Sequence, residues 1–287
     1  MSMNINTNVA SLNAQRNTAT NSLSLSTTMQ RLSSGLRINS AKDDAAGLAI
    51  ADRMNTQIRG MNVAVRNAGD AISMAQVAEG GLSAMNDMLQ RMRELAVQAS
   101  NAPNSTGASG DIAKLDNEYK QLGAELSRML SATQFNGENI LNGTASYVFQ
   151  VGANSGSENQ ITIASTDISL NGATAFTNVA SGGSTASALN TTTASANTLN
   201  IAALDTAIST VNDRRASLGA LQSRFENTIG YLRTASENQS AARSRIMDAD
   251  FASETANLSR SQILQQAGTA MIAQANQLPQ GVLALLR

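Results

Sequence analysis

Apolar side chains recur at steps of three and four over both ends of the chain and thin out in its middle. Ile5, Val9, Leu12, Ala19 and Leu23 form one run, and Leu25, Met29, Leu32 and Leu36 a second, with Asn, Gln, Ser and Thr between them. That spacing keeps the apolar groups on one stripe of a helix. The change of phase between Leu23 and Leu25 moves the stripe, as suits a helix with neighbours on more than one side. Gly35 offers a stop for this helix. Ser40, followed three residues later by Asp43, can satisfy the free amides at a new helix start.

The pattern then lengthens through Met54, Ile58, Met61, Val65, Ala68, Ile72, Ala75, Leu82, Met85, Leu89 and Met92. A proline-free helix from Ala45 to Gln98 would be roughly 80 Å long at about 1.5 Å per residue, far beyond the ordinary globular helix. Such length predicts a rod, with Gly80-Gly81 as the place for a kink. Asn101 to Ser105, with Pro103, closes the long helix. Asp111 opens a shorter one whose stripe is Ile112, Leu115, Tyr119, Leu122, Leu126 and Met129. Asn136-Gly137 and Asn142-Gly143 are turn dipeptides, and Tyr147–Val151 and Gln160–Ile163 read as short strands of a small β-hairpin region.

No charge occurs from Ile168 to Leu204, and Asn171 to Asn200 is rich in Ser and Thr. This composition predicts a flexible or loosely folded surface segment. Its hydroxyls, Ser184, Thr185, Thr191, Thr192 and Thr193 among them, are candidates for O-linked modification. The returning half carries one stripe at Leu204, Ile208, Val211, Leu218, Leu221, Phe225, Ile229 and Leu232, and another at Leu264, Ala267, Met271, Ala275, Leu278, Val282 and Leu285. The break at Met247 to Phe251 is the counterpart of the break near Ser40.

The fold class is therefore mainly α: a long antiparallel helical coiled-coil rod formed by both termini, with a small β-hairpin region and a short irregular outer segment. Residues 1–40 with 250–287 would form a terminal coiled coil, 41–163 with 200–249 a helical rod with the hairpin, and 164–199 a reduced surface segment. A terminal helix showing Leu278, Val282, Leu283, Leu285 and Leu286 to water is unfavourable, since burying each such side chain stabilises by about 1.5–3 kcal/mol. It needs the amino-terminal helix and further copies of the chain, which predicts ends that order on assembly.

Composition narrows the function. Aromatic residues are 3% and tryptophan is absent, so the core must rest on aliphatic side chains and Met, as in helical bundles. Histidine and cysteine are both missing, which removes the commonest metal ligands, the thiol nucleophile and any disulfide framework. With Lys+Arg 20 against Asp+Glu 21, no basic field for nucleic acid exists. Met1 to Gln15 has neither the positive start nor the apolar run of a signal peptide, and no apolar run reaches membrane-spanning length. Glu79, Glu94, Asp111, Glu118 and Glu125 read as solvated faces or ion pairs, since none sits in a recognisable turn beside a nucleophile. Gly-rich phosphate loops are absent. The expectation is no catalytic residue, no metal and no cofactor.

The run from Gln30 through Arg31, Leu32, Ser33, Ser34, Gly35, Leu36, Arg37, Ile38, Asn39, Ser40, Ala41, Lys42, Asp43, Asp44, Ala45, Ala46 and Gly47 to Leu48 resembles the amino-terminal signature of bacterial flagellins. Thr133 to Gly137 and the closing Val282 to Arg287 are similar to two further motifs of that family. The resemblance spans about residues 1–163 and 200–287. It implies a short flagellin with a reduced variable region: a structural subunit that polymerises into the flagellar filament, the propeller of swimming. It also implies secretion by the flagellar type III export apparatus with an export chaperone, and meetings with junction and cap proteins. Ile5, Val9, Leu12, Leu23, Leu278, Val282, Leu283, Leu285 and Leu286 would form the polymerisation core. Gly35, Ser40, Asp43, Asp248 and Asp250 would act as hinges. Neither nucleic acid nor membrane is an implied partner.

The stretch Gln90 to Val97 resembles the segment by which many flagellins are bound, as monomers, by a host Toll-like receptor. Gln90, Arg91, Glu94 and Leu95, with Glu118 on the adjoining helix, are the recognition candidates the resemblance implies. The spacing alone is also that of any amphipathic face. Two rival classes are a hook-filament junction protein, also a secreted rod with paired terminal helices, and a secreted surface adhesin or ligand, whose specificity would have to lie in the uncharged middle.

Overall fold

The computed structural model describes residues 7–101, 103–104, 106–107, 110–170 and 188–285, with side chains throughout except at 194 and 278–285. The chain divides into two compact units, 1–58 with 237–287 and 59–236. The boundaries fall inside helices, not at the breaks near Ser40 and Asp250. Past those breaks the helices continue side by side, and Gln239 donates to Gln57 within the first unit.

In the first unit α1 (Val9–Ser34) lies against the last helix of the chain, numbered α6 below (Phe251–Leu285). Asn8 caps α1 by accepting from the Ser11 amide. Gly35 closes it in the left-handed region at φ 70°, its amide donating to Arg31. This is the conformation for which glycine carries no Cβ penalty. The pairing is antiparallel: Asn8 donates to the Ala275 carbonyl at 2.8 Å, Asn21 to the Ser261 carbonyl at 2.7 Å, and Arg31 to Glu254 at 3.1 Å.

The second unit is built on α2 (Ala45–Ala99), α3 (Asp111–Ala132) and α5 (Thr198–Met247), of which α2 and α5 run on into the first unit. Gly80-Gly81 does not break α2. A Cβ at Gly81 would stand 3.0 Å from both Leu141 Cδ1 and Thr133 Oγ1, so that glycine serves close packing of the following loop against the helix, not a kink. The core joins Leu82, Met85, Leu89 and Met92 of α2 to Tyr119 and Leu126 of α3 and to Leu204, Val211, Leu218 and Phe225 of α5. These positions coincide with the apolar stripes of the sequence.

Two small antiparallel ribbons complete this unit. β1 (Gln134–Phe135) pairs with β2 (Glu138–Asn139) across Asn136-Gly137, where both residues take positive φ, 52° and 82°. That two-residue turn matches the twist of the strands and selects Asn-Gly. β3 (Tyr147–Gln150) pairs with β4 (Gln160–Ile163), Tyr147 opposite Ile163. Phe149 meets Phe225 of α5 edge to face at 5.9 Å, which fastens the ribbon to the helices.

After β4 comes the single turn α4 (Ser165–Ile168). Ile168, Leu170 and Leu189 are buried in the core of this unit, so the described flanks of the uncharged segment belong to the body and not to a detached surface piece. Buried Asp116 accepts from the Leu189 amide at 2.8 Å, and buried Asn197 accepts from the Asn190 amide at 2.6 Å while donating to the Ala99 carbonyl. Short polar side chains suit this task, since each satisfies a backbone group that burial would otherwise leave unpaired.

Candidate assembly and recognition surfaces

The hairpin of α1 and α6 has a seam rich in small and polar residues and leaves several of its large apolar ones exposed. The positions of α1 that turn toward α6 are Ser11, Ala14, Thr18, Asn21, Leu25, Thr28 and Leu32, all buried or half-buried and spaced by threes and fours. On α6 the matching positions include Glu254, Ser261, Gly268 and Ala275. The helices approach so closely at Gly268 that a Cβ there would lie 2.6 Å from Thr18 Oγ1.

The larger residues face solvent: Val9 is 67%, Leu12 51% and Leu23 71% exposed, with Met29, Ile263, Leu264 and Met271 exposed as well. The stripe of the sequence therefore splits. Leu25 and Leu32 serve the seam, and the rest face away from it, with the closest approach of the helices at Gly268. Of the polymerisation candidates, Val9, Leu12 and Leu23 are thus more than half exposed. Leu278, Val282, Leu283 and Leu285 lie on the backbone of α6, while their side chains, and Ile5 and Leu286 altogether, lie outside the described residues. Charge is scarce here: α1 holds no acid, and Glu254, paired to Arg31, is the only one on α6.

The candidate hinges form a hydrogen-bonded clamp. Leu36 and Asp248 make a β-bridge; the Arg37 amide donates to the Met247 carbonyl at 2.6 Å and the Ala249 amide to the Gly35 carbonyl at 3.0 Å. Ile38, Ala51 and Met247 form a small apolar cluster of their own beneath it. Asp43 Oδ2 accepts from the Asn39 amide, the Ser40 amide and the Ser40 hydroxyl at 2.9–3.1 Å. Those bonds to the ionised form, the Asn39 amide first, hold its pKa below the ordinary 3.8. Ser40 and Asp43 close a turn, and the task of capping α2 passes to Asp44, which accepts from the Gly47 amide at 2.8 Å. Asp250 caps α6 by accepting from the Ala252 amide at 3.0 Å.

On the second unit Arg91 sits between two carboxylates, 3.0 Å from Glu94 and 2.8 Å from Glu118, all three exposed. Gln90 is exposed beside them. Leu95, the remaining recognition candidate on this helix, is 0% exposed: the helical turn that presents Arg91 and Glu94 outward points Leu95 inward. Arg93 adds an ion pair to Asp205 of α5 at 2.5 Å, a contact that the sequence gives no signal for, because its partner is far along the chain. Of the modification candidates, Thr192 and Thr193 are exposed and Thr191 half-buried; Ser184 and Thr185 lie outside the described residues. Among the described residues no group of three or more acidic side chains could hold a metal ion, and no helix is long and apolar enough to cross a membrane.

Long paired helices, an aliphatic core and a hairpin that exposes several large apolar side chains define a helical structural protein. Residues 5–146 match the family described as the bacterial flagellin N-terminal helical region, and residues 201–286 the bacterial flagellin C-terminal helical region. The chain belongs to the bacterial flagellin family. It is 45% identical to a flagellin of Halalkalibacterium halodurans over 287 residues, covering 99% of this chain and 100% of the relative. It is 43% identical to the flagellar filament 33 kDa core protein of Treponema phagedenis over 296 residues, with 99% and 100% covered. Among solved structures, that of Bacillus cereus flagellin is 31% identical with a TM-score of 0.47, covering 62% of this chain and 94% of that one.

Proposed function

We propose that the outer hairpin is the surface through which this flagellin joins copies of itself. As a member of its family the chain is a structural subunit of the extracellular flagellar filament, which drives swimming. The observation that supports this placing of the contact is the row Val9, Leu12, Leu23, Ile263, Leu264 and Met271, which the pairing of the two helices leaves exposed. Burial of each large side chain between copies would contribute about 1.5–3 kcal/mol. The clamp around Gly35 and Asp248 would hold the hairpin's root while copies pack. Export through the flagellar apparatus with a chaperone, and contacts with junction and cap proteins, belong to the same reading. The test is growth of purified chain, seeded or salted out, into long filaments visible by electron microscopy, compared with a chain lacking residues 279–287. Growth that this deletion leaves intact would remove the terminal helix from the assembly surface.

The free chain carries a second surface, for a host Toll-like receptor. Its support is the exposed cluster of Arg91, Glu94 and Glu118, where one guanidinium fixed by two carboxylates presents a preformed polar site. Binding of receptor ectodomain to unassembled chain should fall on Arg91→Ala. Equal binding by wild type and variant would refute it.

A further inference from the structure

Halfway along the pairing of α2 with α5 the second unit holds three polar atoms that the chain leaves unsatisfied. Arg93 meets Asp205 and Glu79 meets Gln222, and in this antiparallel register Asn86, midway between 79 and 93, stands level with Asp213 and Arg214. Asn86 is 8% exposed. Its Oδ1, the Nε of Arg214 and the Nε of Arg215 are buried without a hydrogen-bond partner. Arg91, Arg93 and Arg128 of the same unit each engage a carboxylate. Desolvating a charged donor without an acceptor costs more than leaving a neutral one unpaired.

We propose that Arg214 and Arg215 are a docking point for a carboxylate of a second copy of this chain. The inference rests on the filament reading above and names one polar contact within it. Charge complementarity supplies the occupant. Asp70 and Asp87 on α2 and Asp213 and Glu226 on α5 are exposed, and among the described residues none is in an ion pair or hydrogen bond. The two helices thus carry two cations lacking an acceptor and four exposed carboxylates lacking a donor.

The test uses the full chain with Arg214→Gln and Arg215→Gln together, which removes both charges at similar size. The critical concentration for filament growth should rise about tenfold or more. Its dependence on salt should weaken, because an exposed ion pair between copies is screened. The thermal midpoint of the unassembled chain should stay at the wild-type value. Growth at the wild-type concentration with the wild-type salt response would overturn the proposal. So would a fall in thermal midpoint that Asn86→Leu reproduces, since the arginines would then serve their own chain. A photo-crosslinker at exposed Ala216 gives a second measurement: adducts to α2 or α5 of another copy are expected, and adducts confined to one chain would refute it. Wild-type chain that forms no filaments would fail the filament reading itself, and the control shows this before either variant is compared.

Discussion

Asp43 shows how much one side chain can organise. Its carboxylate gathers three donors from Asn39 and Ser40 at the root of the outer hairpin, and its pKa is lowered as a result. A group with a depressed folded pKa contributes stability that is present above its unfolded pKa and lost as pH falls through the folded one. Protection of the Asn39 and Ser40 amides in hydrogen exchange should therefore persist to below pH 3.8 and then fall. In Asp43→Asn it should be weak at every pH. Leu95 makes the opposite point: Leu95→Ala should destabilise the second unit by about 2–5 kcal/mol in thermal or denaturant unfolding, whereas Arg91→Ala, at an exposed ion pair, should cost less than about 1 kcal/mol.

At the level of elements, the long helices and the second unit's core are legible in the sequence, because large apolar residues at helical spacing there do face one another. Asn136-Gly137 is equally legible, since few residue pairs adopt positive φ twice. The hairpin of α1 and α6 is where size misleads. Periodicity reports that an apolar stripe exists but not whether its partner is the same chain or another, and here Ser11, Thr18 and Gly268 share the seam with only part of the stripe, Leu25 and Leu32. A side chain at 268 tests this. Gly268→Val should force Thr18 aside and part the helices, so that the hairpin's helical signal in a circular-dichroism melt is lost at a lower temperature while the second unit's transition stays. Gly80-Gly81 misleads in the same way, since sequence shows a flexible residue and not the loop packed against it.

For the whole molecule, exposure on the chain alone separates assembly from folding. Leu12→Asn with Leu23→Asn changes side chains that are 51% and 71% exposed on the chain alone, so unfolding of the unassembled chain should shift by no more than about 0.5 kcal/mol per site. Filament growth should need at least about tenfold more protein, read by sedimentation. The ion pairs between distant segments, Arg31 with Glu254 and Arg93 with Asp205, are illegible from one sequence because nothing local marks which acid meets which base. Alignment of the two halves by their stripes locates the helices facing each other but not the register to a single residue.

The scarcity of charge on the hairpin reaches beyond packing. The chain has no histidine and no cysteine, the side chains that most often change charge near neutrality, and α1 and α6 hold one acid between them. Polymer made from such parts should answer to ionic strength and hardly at all to acidity: its critical concentration should stay within about twofold from about pH 6 to about pH 8 at fixed salt. A swimming cell that crosses such a gradient would then keep the same propeller without chemical adjustment.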